Sequence, residues 1–215
     1  MGISAITLRQ KCEEYTNFSQ IYLGMQGIQI PYYWDGKNLP SEIATTINTW
    51  RGGSSKTAAQ IQSYMNSNPD KCGVDCSGLA YYVLNEASNG SVRTYFEGVF
   101  GISLPYSSGI WSGNLTSTQY GTLIYRAADI TAGCTIKFEG HVIVIYSLDK
   151  NSSGRVTKIY YAHSSGSMGP HNGYIIIGNE DQDLNGSSQT WYDNAYSDSY
   201  AKSLYLQTTK LFCLN

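Results

Sequence analysis

The chain has 215 residues, 41% of them hydrophobic, which is enough for a substantial core in one domain, residues 1–215. A net charge of −2 with no Lys/Arg cluster argues against a nucleic-acid surface. No apolar run nears the roughly 20 residues that span a bilayer.

In chain order, residues 4–16 read as a helix, with Ile6, Leu8, Cys12 and Tyr15 set against Lys11, Glu13 and Glu14. A Gly-punctuated apolar stretch, Ile21 to Ile30, leads through Pro31 to the aromatic cluster Tyr32-Tyr33-Trp34. Helices are predicted from Pro40 to about Trp50 and from Thr57 to Asn66, around a loop at Arg51-Gly52-Gly53-Ser54-Ser55. Arg51 is a candidate bidentate donor to a substrate carboxylate, against the alternative of a solvated loop charge. Leu79, Ala80, Val83, Leu84 and Ala87 recur at helical spacing, with Asp75 as N-cap, and Asn89-Gly90-Ser91 ends that helix.

Residues 92–128 (Tyr95, Tyr106, Trp111, Tyr120, Tyr125) have little periodicity and read as loops with short helices. Strands follow at Thr135–Phe138, His141–Leu148, Val156–His163, Tyr174–Gly178 and Leu204–Leu214, joined by short loops as an antiparallel meander. Helices first and strands later give an α+β domain, with the helix that begins at Cys76 packed on a mainly antiparallel sheet. His171, within Gly169-Pro170-His171-Asn172-Gly173, reads as a turn residue. Asp181-Gln182-Asp183-Leu184-Asn185-Gly186 opens like a calcium loop, but Tyr192 stands where a bidentate Glu is needed, which leaves a solvated acidic loop.

The composition carries 19 Tyr and 22 Gly with only 14% charged residues. That suits a surface for carbohydrate or peptide polymers, and equally a chain rich in strands. Five cysteines leave at least one unpaired. Cys12, Cys72, Cys134 and Cys213 read as buried thiols or disulfides, and their spacing lacks a Cys-x-x-Cys pattern, so no structural metal is expected; no cofactor is expected either.

The chemistry centres on Asp75-Cys76-Ser77-Gly78. A cysteine at a helix start meets unpaired N–H groups and the positive end of the dipole, so its thiol pKa is expected to fall. Gly78, one turn in, costs about 1 kcal/mol of helix propensity, which implies a close neighbour. The chain has three histidines, and His141 and His163 are equidistant from residue 152, the middle of the loop Asp149–Arg155. A hairpin folded there makes them cross-strand neighbours on one face, one ring taking the thiol proton and the other fixing its tautomer. A slip of one residue would put them on opposite faces.

Asp75-Cys76-Ser77-Gly78, then Gly140-His141-Val142 and a polar residue on the next strand, resembles the NlpC/P60 family of papain-like cysteine peptidases, which cut bacterial cell-wall stem peptides. Tyr32-Tyr33-Trp34-Asp35-Gly36-Lys37 resembles the family's Tyr-x-Trp-Gly-Gly segment, and Ile130 to Ile136 its Pro-Gly-Asp-Leu strand start. The resemblance covers about Tyr32 to His163. It implies a papain-like fold with Cys76 as nucleophile, His141 as base and His163 as the third polar residue. It also places Asp75, Ser77, Tyr32, Tyr33 and Trp34 at the substrate, with Asp75 pairing a substrate amine. The sequence departs from the family pattern in the stretch 38–72, an insertion read as a rim beside the cleft, in Asp35 and Cys134, and in the long loop before His163.

The implied activity is an amide hydrolysis in peptidoglycan stem peptides, such as a D-Glu–diamino acid bond. The alternatives are an N-acetylmuramoyl-L-alanine amidase, or a non-catalytic wall-binding or phage tail module of the same fold. Met1-Gly2-Ile3-Ser4 lacks the basic region and apolar block of a signal peptide. Access to the wall is then expected through a removed leader, cell lysis or a phage particle.

Overall fold

Ser4 opens the first helix by accepting the Thr7 N–H on its hydroxyl, and α1 (Ala5–Thr16) follows, burying Leu8, Cys12 and Tyr15. This computed structural model describes residues 2–103 and 109–215; Tyr106, in the stretch read as loops, lies outside them. After α2 (Phe18–Leu23) the chain passes through bends and a turn at 32–37, then forms α3 (Pro40–Arg51), α4 (Ala58–Ser67) and the single turn α5 (Pro69–Cys72). Each start has a local cause: Pro40 and Pro69 stand in first turns, where a missing N–H costs nothing, and Thr57 and Gln60 cap α4 reciprocally.

The central helix is α6 (Cys76–Ala87), capped by Asp75, whose Oδ1 accepts the Gly78 N–H at 2.6 Å. It packs along α1 and against the sheet. Next come α7 (Ser91–Phe100) and α8 (Ser112–Leu115), so the stretch read as loops with short helices opens on a ten-residue helix. Its buried Val92 and Phe96 are one turn apart, a pattern too short to stand out.

Seven strands follow: β1 (Gly121–Ile124), β2 (Thr135–Phe138), β3 (His141–Lys150), β4 (Val156–Ser165), β5 (Gly169–Ile177), β6 (Gln189–Tyr192) and β7 (Tyr205–Leu211). All pair antiparallel in one curled sheet of order β1-β7-β2-β3-β4-β5-β6. The meander holds from β2 to β6, whereas β7 returns to pair between β1 and β2. The strand read over Leu204–Leu214 is trimmed at both ends, by α9 (Asp198–Leu204) and by a helical turn at Phe212–Leu214. The short β1 and β6 lacked a readable pattern.

Strand alternation separates two cores. Val142, Val144 and Ala162 join α1 and α6 on one face, and Ile143, Ile145, Tyr161, Ile175 and Trp191 pack on the other with Ala201 and Tyr205. All five cysteines are free thiols, with Cys12, Cys72, Cys76 and Cys134 buried. The acidic loop is less solvated than its composition suggests, because Asp183 accepts the Leu184 N–H and the Tyr205 hydroxyl.

Candidate functional site

Two short bridges seat the nucleophile candidate. Val74 pairs with Tyr32 on one side and with Lys37 on the other, so the turn 32–37 lies beside the residues that lead into α6. At its tip Asp35 takes a left-handed φ of 61°, a conformation glycine favours, and the next residue, Gly36, has no room for a side chain against the Tyr33 and Gly73 carbonyls. Cys76 is the first residue of α6 and only 5% exposed. Its sulfur meets the backbone N–H groups of Val142 and Ser77. Val142 is the neighbour of His141, so the helix tip and the start of β3 come together.

The expected fall in thiol pKa does not occur. Burial pushes Cys76 up to about 11, and Asp75 adds to it, outweighing Lys37 and the two N–H groups that pull the other way. His141 moves in the opposite direction, well below its ordinary value, through burial and the neighbouring His163 and His171. Both directions describe a neutral Cys76 thiol and a neutral His141 imidazole at rest.

The predicted histidine pair forms, by a slightly different register. Val144 lies opposite Ala162, centring the hairpin on residue 153 instead of 152. That offset moves the partner by two residues and preserves the face, so His141 and His163 are diagonal neighbours, with His141 Nε2 2.9 Å from His163 Nδ1.

Beyond His163 the network continues through residues the sequence did not single out. Asp193, whose side chain is fully buried, lies 3.0 Å from His163 Nε2 through Oδ2, which also accepts the Tyr161 hydroxyl at 3.0 Å. Its Oδ1 accepts the N–H groups of Ala195 (2.7 Å) and Tyr196 (3.1 Å) and lies 3.2 Å from His171 Nε2. Burial alone would raise this carboxyl, but hydrogen bonds from His163 and His171 hold it well below the usual range. Burial brings His163 down to about 4 despite its bond to Asp193.

These contacts fix the tautomers. An ionised Asp193 only accepts, so His163 carries its proton on Nε2. Its bare Nδ1 then accepts from His141 Nε2–H, which leaves His141 Nδ1 as the free lone pair. Tyr196 closes over the pair, stacking on His163 at 5.7 Å between ring centres and lying near enough to Cys76 to feel its charge.

His171, read as a turn residue, is instead a buried member of β5 directly opposite His163. Its Nδ1 lies 2.8 Å from the Gly169 carbonyl. His163, His171 and Asp193 each offer a ligand-type atom, all within 4.8 Å of one another. Asp193 lies at hydrogen-bond distance from each histidine and five donors already meet it, so the cluster reads as a proton-ordering network.

Of the other candidates, Tyr32 sits close enough to Cys76 and Asp75 for their charges, after burial, to push its hydroxyl up to about 12. Tyr33 and Trp34 are exposed, Trp34 at 70%. Asp75 does not present a free carboxylate. Lys37 Nζ binds both its oxygens, at 2.9 and 2.8 Å, while Ser77 Oγ, Gly78 N and Asp35 N also donate to it. Ser77 is buried within the same cluster and also accepts from Lys37. Arg51 ends α3, and among the described contacts none joins it to Cys76 or His141. No described helix is long and apolar enough to cross a membrane. Neither the family models, nor the curated proteins, nor the solved structures compared with the chain returned a match.

Proposed function

We infer that the chain is a papain-like cysteine hydrolase that cleaves an amide bond in peptidoglycan stem peptides. One observation carries the reading: the chain Asp193–His163–His141 leaves a bare Nδ1 on the histidine beside Val142, whose N–H meets the Cys76 sulfur. Cys76 at a capped helix start and the resemblance of Asp75-Cys76-Ser77-Gly78 and Gly140-His141-Val142 to the NlpC/P60 peptidases supply the substrate class.

The resting pair is neutral, so the nucleophile forms by proton transfer. The Cys76 thiol gives its proton to His141 Nδ1 as sulfur attacks the substrate carbonyl, and backbone N–H groups at the start of α6 stabilise the oxyanion. The C–N bond then breaks, and the proton on His141 goes to the leaving amine. Water adds to the thioester, giving a proton to the same nitrogen. The C–S bond breaks, the acid departs, and the proton returns to sulfur. His163 and Asp193 hold the base ring throughout.

The test is digestion of purified peptidoglycan by the full chain and by Cys76→Ala, with products read by mass spectrometry. New amines within the stem peptide are the expected result. Release of the peptide from muramic acid identifies an amidase. Absence of products from the unmodified chain overturns the hydrolase reading and favours a wall-binding module. Cutting that persists in Cys76→Ala removes the nucleophile assignment.

A further inference from the structure

The geometry points to His171 as a positioning residue, held inside the protein as an imidazolium that donates from both ring nitrogens and balances the buried Asp193 carboxylate. Its effect on turnover rests on the proposed hydrolase reading, while its proton count stands on the structure.

That count follows from what each ring nitrogen faces. Nδ1 lies 2.8 Å from the Gly169 carbonyl, which has no proton to give. Nε2 lies 3.2 Å from Asp193 Oδ1, an oxygen already accepting the Ala195 and Tyr196 N–H groups. Both neighbours are acceptors, so the ring supplies two protons. The charge balance agrees. The Asp193 side chain is fully buried, and among the described residues its ion-pair partners are His163 and His171. A buried carboxylate without a cation is costly, and one of those two rings must carry the charge.

The neighbouring rings decide which. A second proton on His163 would sit on Nδ1 and point at His141 Nε2, forcing His141 to carry its own proton on Nδ1. The lone pair meant for the thiol would be lost. A proton on His171 satisfies Asp193 without disturbing that order. The charge of His171 also opposes protonation of both other rings. The groups facing His171 are Asp193 from the loop after β6 and His163 from β4. Through these it connects with His141, Tyr161 and Tyr196. The device is thus a fixed charge placed two rings away from the base, which keeps the intervening ring singly protonated.

The deciding measurement is the long-range proton–nitrogen spectrum of histidine-labelled full-length Cys76→Ala at neutral pH. Three ring systems are present, and His171 is assigned through Pro170 and Asn172. The expected spectrum shows two protonated nitrogens on His171 and a single Nε2–H on each of His163 and His141. A singly protonated His171, or a double proton on His163, overturns the inference. The spectrum needs no turnover, so its outcome stands apart from the success of the digestion experiment.

His171→Gln gives the functional arm, because glutamine donates toward Asp193 but carries no charge. The acidic limb of kcat/KM is expected to move up by about one pH unit, a loss of about tenfold on that limb, with KM unchanged. An unmoved limb overturns the positioning role. If His171→Gln does not fold, the Cys76→Ala spectrum still decides.

Discussion

At the scale of single residues, the site's behaviour is set by where protons are held. A helix start favours a thiolate, yet Cys76 is driven the other way because burial outweighs two N–H contacts and a lysine. In the proposed mechanism its reactivity depends on His141 Nδ1 being empty, and that depends on Asp193. Asp193→Asn turns an acceptor into a donor opposite His163 Nε2, so His163 and then His141 reverse tautomer. We expect kcat to fall by about a thousandfold or more, with Cys76 still present and the thermal midpoint only modestly lower; a kcat within threefold would refute the tautomer argument.

Cys76, His141 and His163 were legible because each stands at the edge of a patterned segment. Asp193 had no such marker, lying among Asn, Tyr and Ser with no motif around it. His171 was within reach of the same arithmetic that paired the other two, since it and His163 are equidistant from residue 167 and pair directly. It was read as a turn because Gly169, Pro170 and Gly173 surround it. Both glycines serve close packing: a Cβ at Gly169 would clash with the Ile30 carbonyl, and one at Gly173 with the Tyr161 ring.

Among the elements, α6 and the turn 32–37 form the part of the site whose precision is most easily broken. The close neighbour implied by Gly78 is backbone, with a Cβ there 2.5 Å from the Gly36 carbonyl. Alanine would gain about 1 kcal/mol of helix propensity, but forcing this contact apart costs more. Gly78→Ala is therefore expected to destabilise by about 2 kcal/mol in urea unfolding, and a neutral or stabilising result would show that the turn yields freely. Lys37 is the second tie. It holds the carboxylate that caps α6, with only 15% of its side chain exposed and 8% of that of Asp75. Lys37→Met leaves that carboxylate buried without its cation, and a loss of about 3 kcal/mol is expected. Restored stability in Lys37→Met combined with Asp75→Asn would attribute that loss to the stranded charge. The strands with clear alternation were legible to within a few residues. The reach of β7 across to β1 was not, because a strand's partner is set by the whole sheet and leaves no mark in its own residues.

For the molecule as a whole, the site lies where two cores meet at one end of the sheet. Cys76 belongs to the core shared by α1 and α6, whereas His141, His163 and Asp193 sit among Phe138, Trp191 and Tyr196 on the other face. The imidazole of His163 is thus buried and that of His141 half-buried in folded protein, whereas both are hydrated in the unfolded chain. This couples the site to global stability. The folded His163 titrates near pH 4 and His141 well below its ordinary value of 6.5. Between about 6.5 and 4 the unfolded chain binds the protons that these rings refuse in the fold, and stability rises with pH wherever the unfolded state is the more protonated. The contribution is complete above pH 6.5 and is lost as pH falls toward 4, at about 1.4 kcal/mol per pH unit for each ring while both states differ fully. Asp193 does not share this window, because its carboxyl stays ionised below the usual carboxylate range. Thermal midpoints should therefore decline steadily from pH 6.5 to pH 4.5, and His141→Gln, with one such ring fewer, should show a shallower decline than the unmodified chain. Midpoints that stay level, or a variant as steep as its parent, would mean that the buried imidazoles take up protons without opening the fold.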